Sequence, residues 1–340
     1  MSLKDFRLQL LDRMLDIVWS QWITLGISGN LPPTDRWILD PEALVLFTCN
    51  IGRYEPRVFD SMLEWLKVNQ RFLNVQRLKT INKRENFAGK NLLAAIAHLL
   101  MKPASRSKWE RLSEQMLTKP LKEQSLFRLK DGSPHPQLEN ADTSFSKAGY
   151  IRQEFRYRKA IAHFKPDLRA NLTMKLRTLF GVNSRCEVIA YLLTHDDANP
   201  TEISAVTGYS SKTIYNAISE MYMSGKLNRR VSGKESLYSL GDNSWLAFLC
   251  PDGRTARWMD WPKAFRSLEI IWTAIDNPRL INEDTELAAS ELKLAFNEAR
   301  PRLQKAVPGY IKELPSSREG SELRLEEICD AVESLIEYLA

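Results

Sequence analysis

Apolar residues recur at three- and four-residue spacing along most of the chain, the period of amphipathic helices. Residues 4–25 place Phe6, Leu10, Leu11, Leu15, Val18, Trp19 and Trp22 on one face, and the Gly, Ser, Asn and Pro of residues 26–33 end that pattern. Asp40-Pro41-Glu42 has the form of an N-cap followed by Pro at the first helical position, so PEALVLFTCNIG is expected to be a helix. Another helix follows Glu55-Pro56, with Met62, Leu63, Trp65 and Leu66 apolar. The LNVQRLKTI stretch suits a strand or a helical extension equally. Residues 1–102 thus predict an N-terminal helical domain. Over residues 103–148 the periodicity lapses, and KDGSPHPQLENADTSFSKAG collects turn formers, which predicts a linker or loop region and a domain boundary. Residues 245–340 regain helical spacing, most clearly over 262–276, 283–307 and 322–339, and predict a C-terminal acidic helical domain.

Between these lies a compact pattern in residues 149–244. RCEVIAYLLTH places Val188, Ile189, Leu192 and Leu193 on one helical face. Asn199-Pro200 supplies a cap and a first-turn Pro to a short helix with Ile203 and Val206 inward, and with small Ala205 expected where a neighbouring backbone comes close. Gly208 then ends the helix, because a sharp turn needs a residue that tolerates positive φ. Ser210 caps the next helix, whose inward face is Ile214, Ala217, Ile218 and Met221 and whose outward face is Ser211, Lys212, Tyr215, Asn216 and Ser219. After Gly225, LNRRV and SLYSL flank a turn at Ser232, Gly233 and Lys234 and predict a two-stranded hairpin.

The run Thr201-Glu202-Ile203-Ser204, Gly208-Tyr209-Ser210, Thr213-Ile214 and Gly225-Lys226-Leu227 followed by Arg229 resembles the winged helix-turn-helix domains of bacterial transcriptional regulators of the MarR and ArsR type, over roughly residues 185–240. The resemblance implies a mostly α fold, with a winged helix-turn-helix flanked by N-terminal and C-terminal helical domains. It implies a cytoplasmic, sequence-specific transcription regulator whose partner is double-stranded DNA. The expected DNA contacts are Ser210, Ser211, Lys212, Thr213, Tyr215, Asn216, Ser219, Lys226, Arg229, Arg230 and Lys234. The outward helical face would enter the major groove while the wing cations meet phosphates. Such domains usually act in pairs, so a homodimer is expected. The leucines of the acidic C-terminal helices, among them Leu287, Leu292, Leu294, Leu303, Leu323, Leu325 and Leu335, are the first candidates for its contact. Residues 1–102 also admit a second, degenerate winged helix, with LNVQRLKTI as its wing.

Charge sharpens this reading. The net charge is +6, but residues 101–180 hold 17 Lys and Arg against 8 Asp and Glu, and residues 251–340 hold 12 against 17. The basic run YIRQEFRYRKAIAHFKPDLRANLTMKLR interleaves Tyr150, Phe155, Tyr157 and Phe164 with its arginines, a pattern that suits a polyanion as well as a core. If Arg152, Arg156, Arg158, Lys165 and Arg169 flank the reading face, they add phosphate contacts. Residues 180–242 are near neutral, with 6 basic and 7 acidic residues, and Glu187, Asp196, Asp197 and Glu202 are expected on the first two helices, away from that face.

Enzymatic chemistry is not expected. The four His (His98, His135, His163 and His195) stand apart at no metal-ligand spacing, the four Cys form no short pair, and there is no P-loop, Rossmann glycine pattern or GxSxG elbow. No cofactor or metal is expected, and no stretch stays apolar long enough for a membrane. Trp19, Trp22, Trp37 and Trp65 suit a core better than an effector pocket. The competing reading is a protein-interaction module, such as an antitoxin or adaptor binding a partner enzyme, in which the winged helix is autoregulatory or scaffold.

Overall fold

The computed structural model describes residues 2–101, 108–118, 122–136, 141–158, 161–281, 285–307, 310 and 325–340. The chain is mostly helical, as its periodicity predicts. The first half holds α1 (Leu3–Thr24), α2 (Pro41–Ile51), α3 (Pro56–Asn69), α4 (Val75–Glu85), α5 (Lys90–Leu99), α6 (Lys108–Met116), β1 (Gln124–Ser125), α7 (Thr143–Ser146) and β2 (Tyr150–Ile151). The second half holds α8 (Leu172–Phe180), α9 (Ser184–Leu192), α10 (Pro200–Thr207), α11 (Ser211–Met223), β3 (Leu227–Ser232), β4 (Glu235–Leu240), α12 (Ser244–Leu249), α13 (Trp261–Ile275), α14 (Pro278–Ile281), α15 (Thr285–Ala306) and α16 (Leu325–Leu339).

Caps start these helices where the sequence places them. The Asp40 carboxylate accepts from the Ala43 N–H at 3.1 Å with Pro41 leading α2, and Asn199 does the same for Glu202 at 2.8 Å with Pro200 leading α10. The stretch that suits strand or helix is helix α4: Asn74 caps it, Val75, Leu78 and Ile81 are buried, and Asn86 closes it at φ 57°. It is no wing.

Two apolar cores result. The larger joins α1–α6 to α13, α15 and α16. Phe47 of α2 stacks on Phe265 of α13 at 4.4 Å between ring centroids, and the Trp261 indole N–H donates to the Ile38 carbonyl at 2.9 Å. The N-terminal and C-terminal segments, expected as separate domains, therefore build one helical body with shared apolar contacts. The segment read as linker belongs to it as well: Trp109, Leu112, Met116, Leu126 and Phe145 are buried there. Its turn-rich part is described only outside residues 137–140. Trp22, Trp37 and Trp65 are core, with Trp22 and Trp65 at 5.3 Å. Among the C-terminal leucines considered for a dimer contact, Leu292, Leu303 and Leu335 are consumed inside the chain, whereas Leu287 and Leu294 are exposed. Leu323 and the Leu325 side chain lie outside the described residues.

The smaller core is built by α8–α11, β3, β4 and α12, from Leu176, Val188, Ile189, Leu192, Ile203, Ile214, Ile218, Met221, Leu227, Tyr238 and Leu249. It is inserted between the N-terminal and C-terminal parts of the body. Among the described residues no helix is long and apolar enough to cross a membrane, and no His, Cys, Asp and Glu cluster is suited to a metal.

Candidate nucleic-acid interface

The α10–α11 pair forms around Gly208, which sits at φ 77°. Only Gly occupies this turn cheaply. A Cβ there would also lie 3.1 Å from Cγ1 of Ile81 on α4. Gly208→Val is expected to lower stability by about 2 kcal/mol or more, through left-handed strain plus this crowding, read as a drop in thermal midpoint with the helical CD signature kept below it.

On α11 the buried face is Ile214, Ala217, Ile218 and Met221, and the outward positions Ser211, Lys212, Thr213, Tyr215 and Asn216 are exposed while Ser219 is partly so. Two hydroxyls of this set are spoken for. Ser210 Oγ accepts from the Thr213 N–H at 3.2 Å and lies 2.8 Å from Thr213 Oγ1, and Ser211 Oγ lies 3.2 Å from Ser204 Oγ. Among the described residues the side chains of Lys212, Tyr215 and Asn216 enter no hydrogen bond or ion pair, and Tyr215 is 57% exposed. The same stripe continues into Tyr222 and Met223, seven and eight residues beyond Tyr215, and both are exposed. The sequence reading passed over this pair, although helical spacing from Tyr215 marks it.

The hairpin pairs antiparallel with Leu227 opposite Leu240 and Ser232 opposite Glu235, leaving Gly233-Lys234 as the two-residue turn. A third short edge is supplied by Ala198, whose N–H and C=O both bond Tyr238, at 3.0 and 2.9 Å. Strand alternation separates the two arginines that the sequence groups together. Arg229 lies opposite Tyr238, on the face of Leu227, and donates to Ser236 Oγ at 2.8 Å. Arg230 turns to the other face and pairs with Asp197 at 2.5 Å. Asp197 therefore lies against the β3–β4 hairpin and not away from it. Lys226 and Lys234 are exposed at the two ends of β3.

Two further expectations change. Ala205 is exposed, and what approaches is the Arg84 guanidinium, donating to the Ala205 carbonyl at 2.9 Å. The basic arm does not gather round α11. Arg152 is buried and within 2.8 Å of Asp60, Arg169 pairs with Asp35 at 2.9 Å, and the Ala162 N–H bonds the Gly26 carbonyl, all on the helical body.

What fixes the α10–α11 unit on that body is a buried ion cluster. Arg177 of α8, whose side chain is fully buried, donates to both oxygens of the equally buried Glu42 at 2.7 and 2.9 Å and to Glu187 of α9 at 2.6 Å. Arg77 of α4 bonds Glu42 at 2.6 Å and Asp40 at 2.7 Å, and its Nε donates to the Thr207 carbonyl at the end of α10. The Asn74 amide donates to Tyr209 Oη at 2.7 Å. Burial opposes ionisation of Asp40, but the charge and hydrogen bonds of Arg77 outweigh it and hold the carboxyl below its ordinary range. Burial, reinforced by Glu187, raises the Tyr209 phenol. Glu187 thus belongs to this cluster and not to a solvated acidic surface. The body grips the turn itself.

No protein-family model, no curated protein and no solved structure matches this chain.

Proposed function

We propose that residues 184–240 are a winged helix-turn-helix that binds double-stranded DNA, with α11 as the reading helix and the β3–β4 hairpin as the wing, in a transcription regulator that works as a homodimer. The observation that carries this reading is the pairing of α10 and α11 across Gly208 with an exposed stripe of Lys212, Tyr215 and Asn216 and an adjacent hairpin bearing Arg229 and Lys234. Asn216 and Tyr215 suit base edges, and Lys212, Arg229 and Lys234 suit phosphates. The body, through its grip on the turn, sets the angle at which the two motifs of a dimer meet successive grooves.

The test is a selection of bound fragments from random duplex DNA at near-physiological salt, run on the wild type and on an Asn216→Ala/Arg229→Ala variant. A two-fold symmetric motif enriched by the wild type alone supports the reading, and enrichment by neither overturns it. Within this frame the two wing arginines diverge. Arg229→Ala is expected to weaken binding to all sequences alike and to reduce the salt slope of log K by about 1. Arg230→Ala has the smaller effect, because that guanidinium is held by Asp197 on the opposite face. Salt titrations of the two variants by fluorescence anisotropy check the difference.

A second reading rests on a specific observation. Met223 is 78% and Val231 66% exposed, and Tyr222 stands beside Met223 on the same helix. Apolar groups of this size also suit a protein partner, the adaptor or antitoxin alternative, which a co-purifying protein at fixed stoichiometry would favour.

A further inference from the structure

The basic arm is the feature that the DNA reading leaves unused. It crosses the helical body over α3, where the Arg158 N–H donates to Glu64 Oε1 at 2.5 Å and Lys67 Nζ lies 5.3 Å from the centre of the Phe155 ring. There Arg152, Arg156 and Arg158 converge with His135 on a single cavity of about 210 Å³. Two carboxylates, Asp60 and Glu154, also line it, beside Phe127 and Ile151, so the three arginines leave it with an excess of one positive charge.

Arg152 gives the cavity a fixed centre. It is only 6% exposed, and its guanidinium carbon lies 5.3, 5.1 and 5.8 Å from the ring centroids of Phe127, Phe145 and Phe155. Its Nε donates to the Gln153 carbonyl at 2.8 Å. Its Nη1 reaches 2.8 Å from Asp60 Oδ1 in an ion contact, yet the geometry aligns no hydrogen bond and both atoms lack a hydrogen-bond partner. A buried guanidinium whose ion contact carries no aligned hydrogen bond is stabilised further by an acceptor that reaches its remaining N–H groups. Arg156 and Arg158 are exposed at the rim and, among the described residues, enter no ion pair.

We infer that this cavity binds the phosphoryl group of a small phosphorylated metabolite. Guanidinium N–H groups make strong charge-assisted bonds to phosphate oxygens, and the three aromatic rings hold the Arg152 guanidinium in place before the ligand arrives. Arg156 and Arg158 supply the remaining charge, and His135 a further ring nitrogen. Size narrows the class: the volume falls below the roughly 300–1,000 Å³ of cavities that take drug-sized ligands, so it accommodates a head group and little more. A concavity this narrow also suits a terminal phosphoryl group better than the continuous backbone of a duplex. The site lies on α3 and the β1–β2 edge, on different elements from α10–β4, so its fate does not depend on that of the DNA reading.

The experiment is isothermal titration of the full chain with inorganic phosphate and with phenyl phosphate, ionic strength being held constant with chloride. Wild type is compared with an Arg156→Ser/Arg158→Ser variant, whose exposed positions spare the fold, and with a Lys83→Ser/Lys90→Ser variant that removes the same charge at exposed positions elsewhere. Saturable one-to-one binding by wild type and the lysine variant, weakened at least about tenfold by the arginine pair, is the expected result. Arg152→Lys, which keeps charge but loses the planar guanidinium held between the rings, is expected to weaken phosphate binding as well. Absence of saturable binding with both probes, or equal weakening in the lysine variant, overturns the assignment. Random-sequence duplex DNA is the third arm: retention of DNA that depends on Arg156 and Arg158, without any phosphate binding, overturns it in favour of a polyanion track.

Discussion

Arg177→Met is expected to destabilise the protein by about 3–5 kcal/mol, the range for removing one member of a buried ion pair. The reason is what stays behind. Glu187 is 3% exposed and loses the one cation that bonds it among the described residues, while the fully buried Glu42 is left with Arg77, which it shares with Asp40 and Thr207. The change is expected to show as a lower urea midpoint. It is also expected to uncouple the α10–α11 unit from the body, because the cluster bridges α2, α4, α8, α9 and the turn before α11. A double Arg177→Met/Glu187→Leu variant is expected to recover part of the loss, since removing an uncompensated buried charge costs less than leaving it. Equal stability of Arg177→Met and wild type would mean that water reaches the cluster.

Tyr215→Ala/Asn216→Ala is the second large effect. If α11 reads base edges, each substitution is expected to cost about 1–3 kcal/mol at a selected site while leaving binding to random duplex nearly unchanged. The quantity to measure is the ratio of dissociation constants for selected and random DNA at one salt concentration, and that ratio is expected to fall by at least about tenfold. The substitutions should be mild for folding, because both side chains are exposed and the buried face of Ile214, Ala217, Ile218 and Met221 is untouched. A ratio that does not move would take α11 out of the groove and leave its Tyr222 and Met223 to a protein partner.

Local signals made one part of the fold legible. Caps at Asn199 and Ser210, a Gly at φ 77° and the spacing of Ile214, Ala217, Ile218 and Met221 each act within a few residues, so α10, α11 and the hairpin could be read with their boundaries. What depended on distant pairing was not legible. Phe47 and Phe265 stack across more than two hundred positions of sequence, and nothing near either one announces the other. The ion cluster was hidden for a different reason. Glu42, Arg77, Arg177 and Glu187 have the charge of surface residues, and Arg177 sits in a basic run where a solvated role is the ordinary expectation. In the β3–β4 hairpin the alternation that splits Arg229 from Arg230 was available from the strand period alone, yet their adjacency in sequence suggested a joint role. α4 was ambiguous because Val75, Thr80 and Ile81 are β-branched, and its burial on two sides overrode that preference.

The shared core of first and last helices also dictates an order of events on the ribosome. About 210 residues separate the end of α2 at Ile51 from the start of α13 at Trp261. At a synthesis rate of about 5–20 residues per second, the apolar face around Phe47 waits on the order of 10–40 s for its cover. The inserted unit of α8–α12 draws its core from residues 172–256 and Ile38, all made before α13, and can close during that interval. Nascent chains of this protein therefore carry a finished α10–α11 pair on an open scaffold, the state in which chaperones have most to do and in which a premature stop leaves the pair on a body whose core is still uncovered.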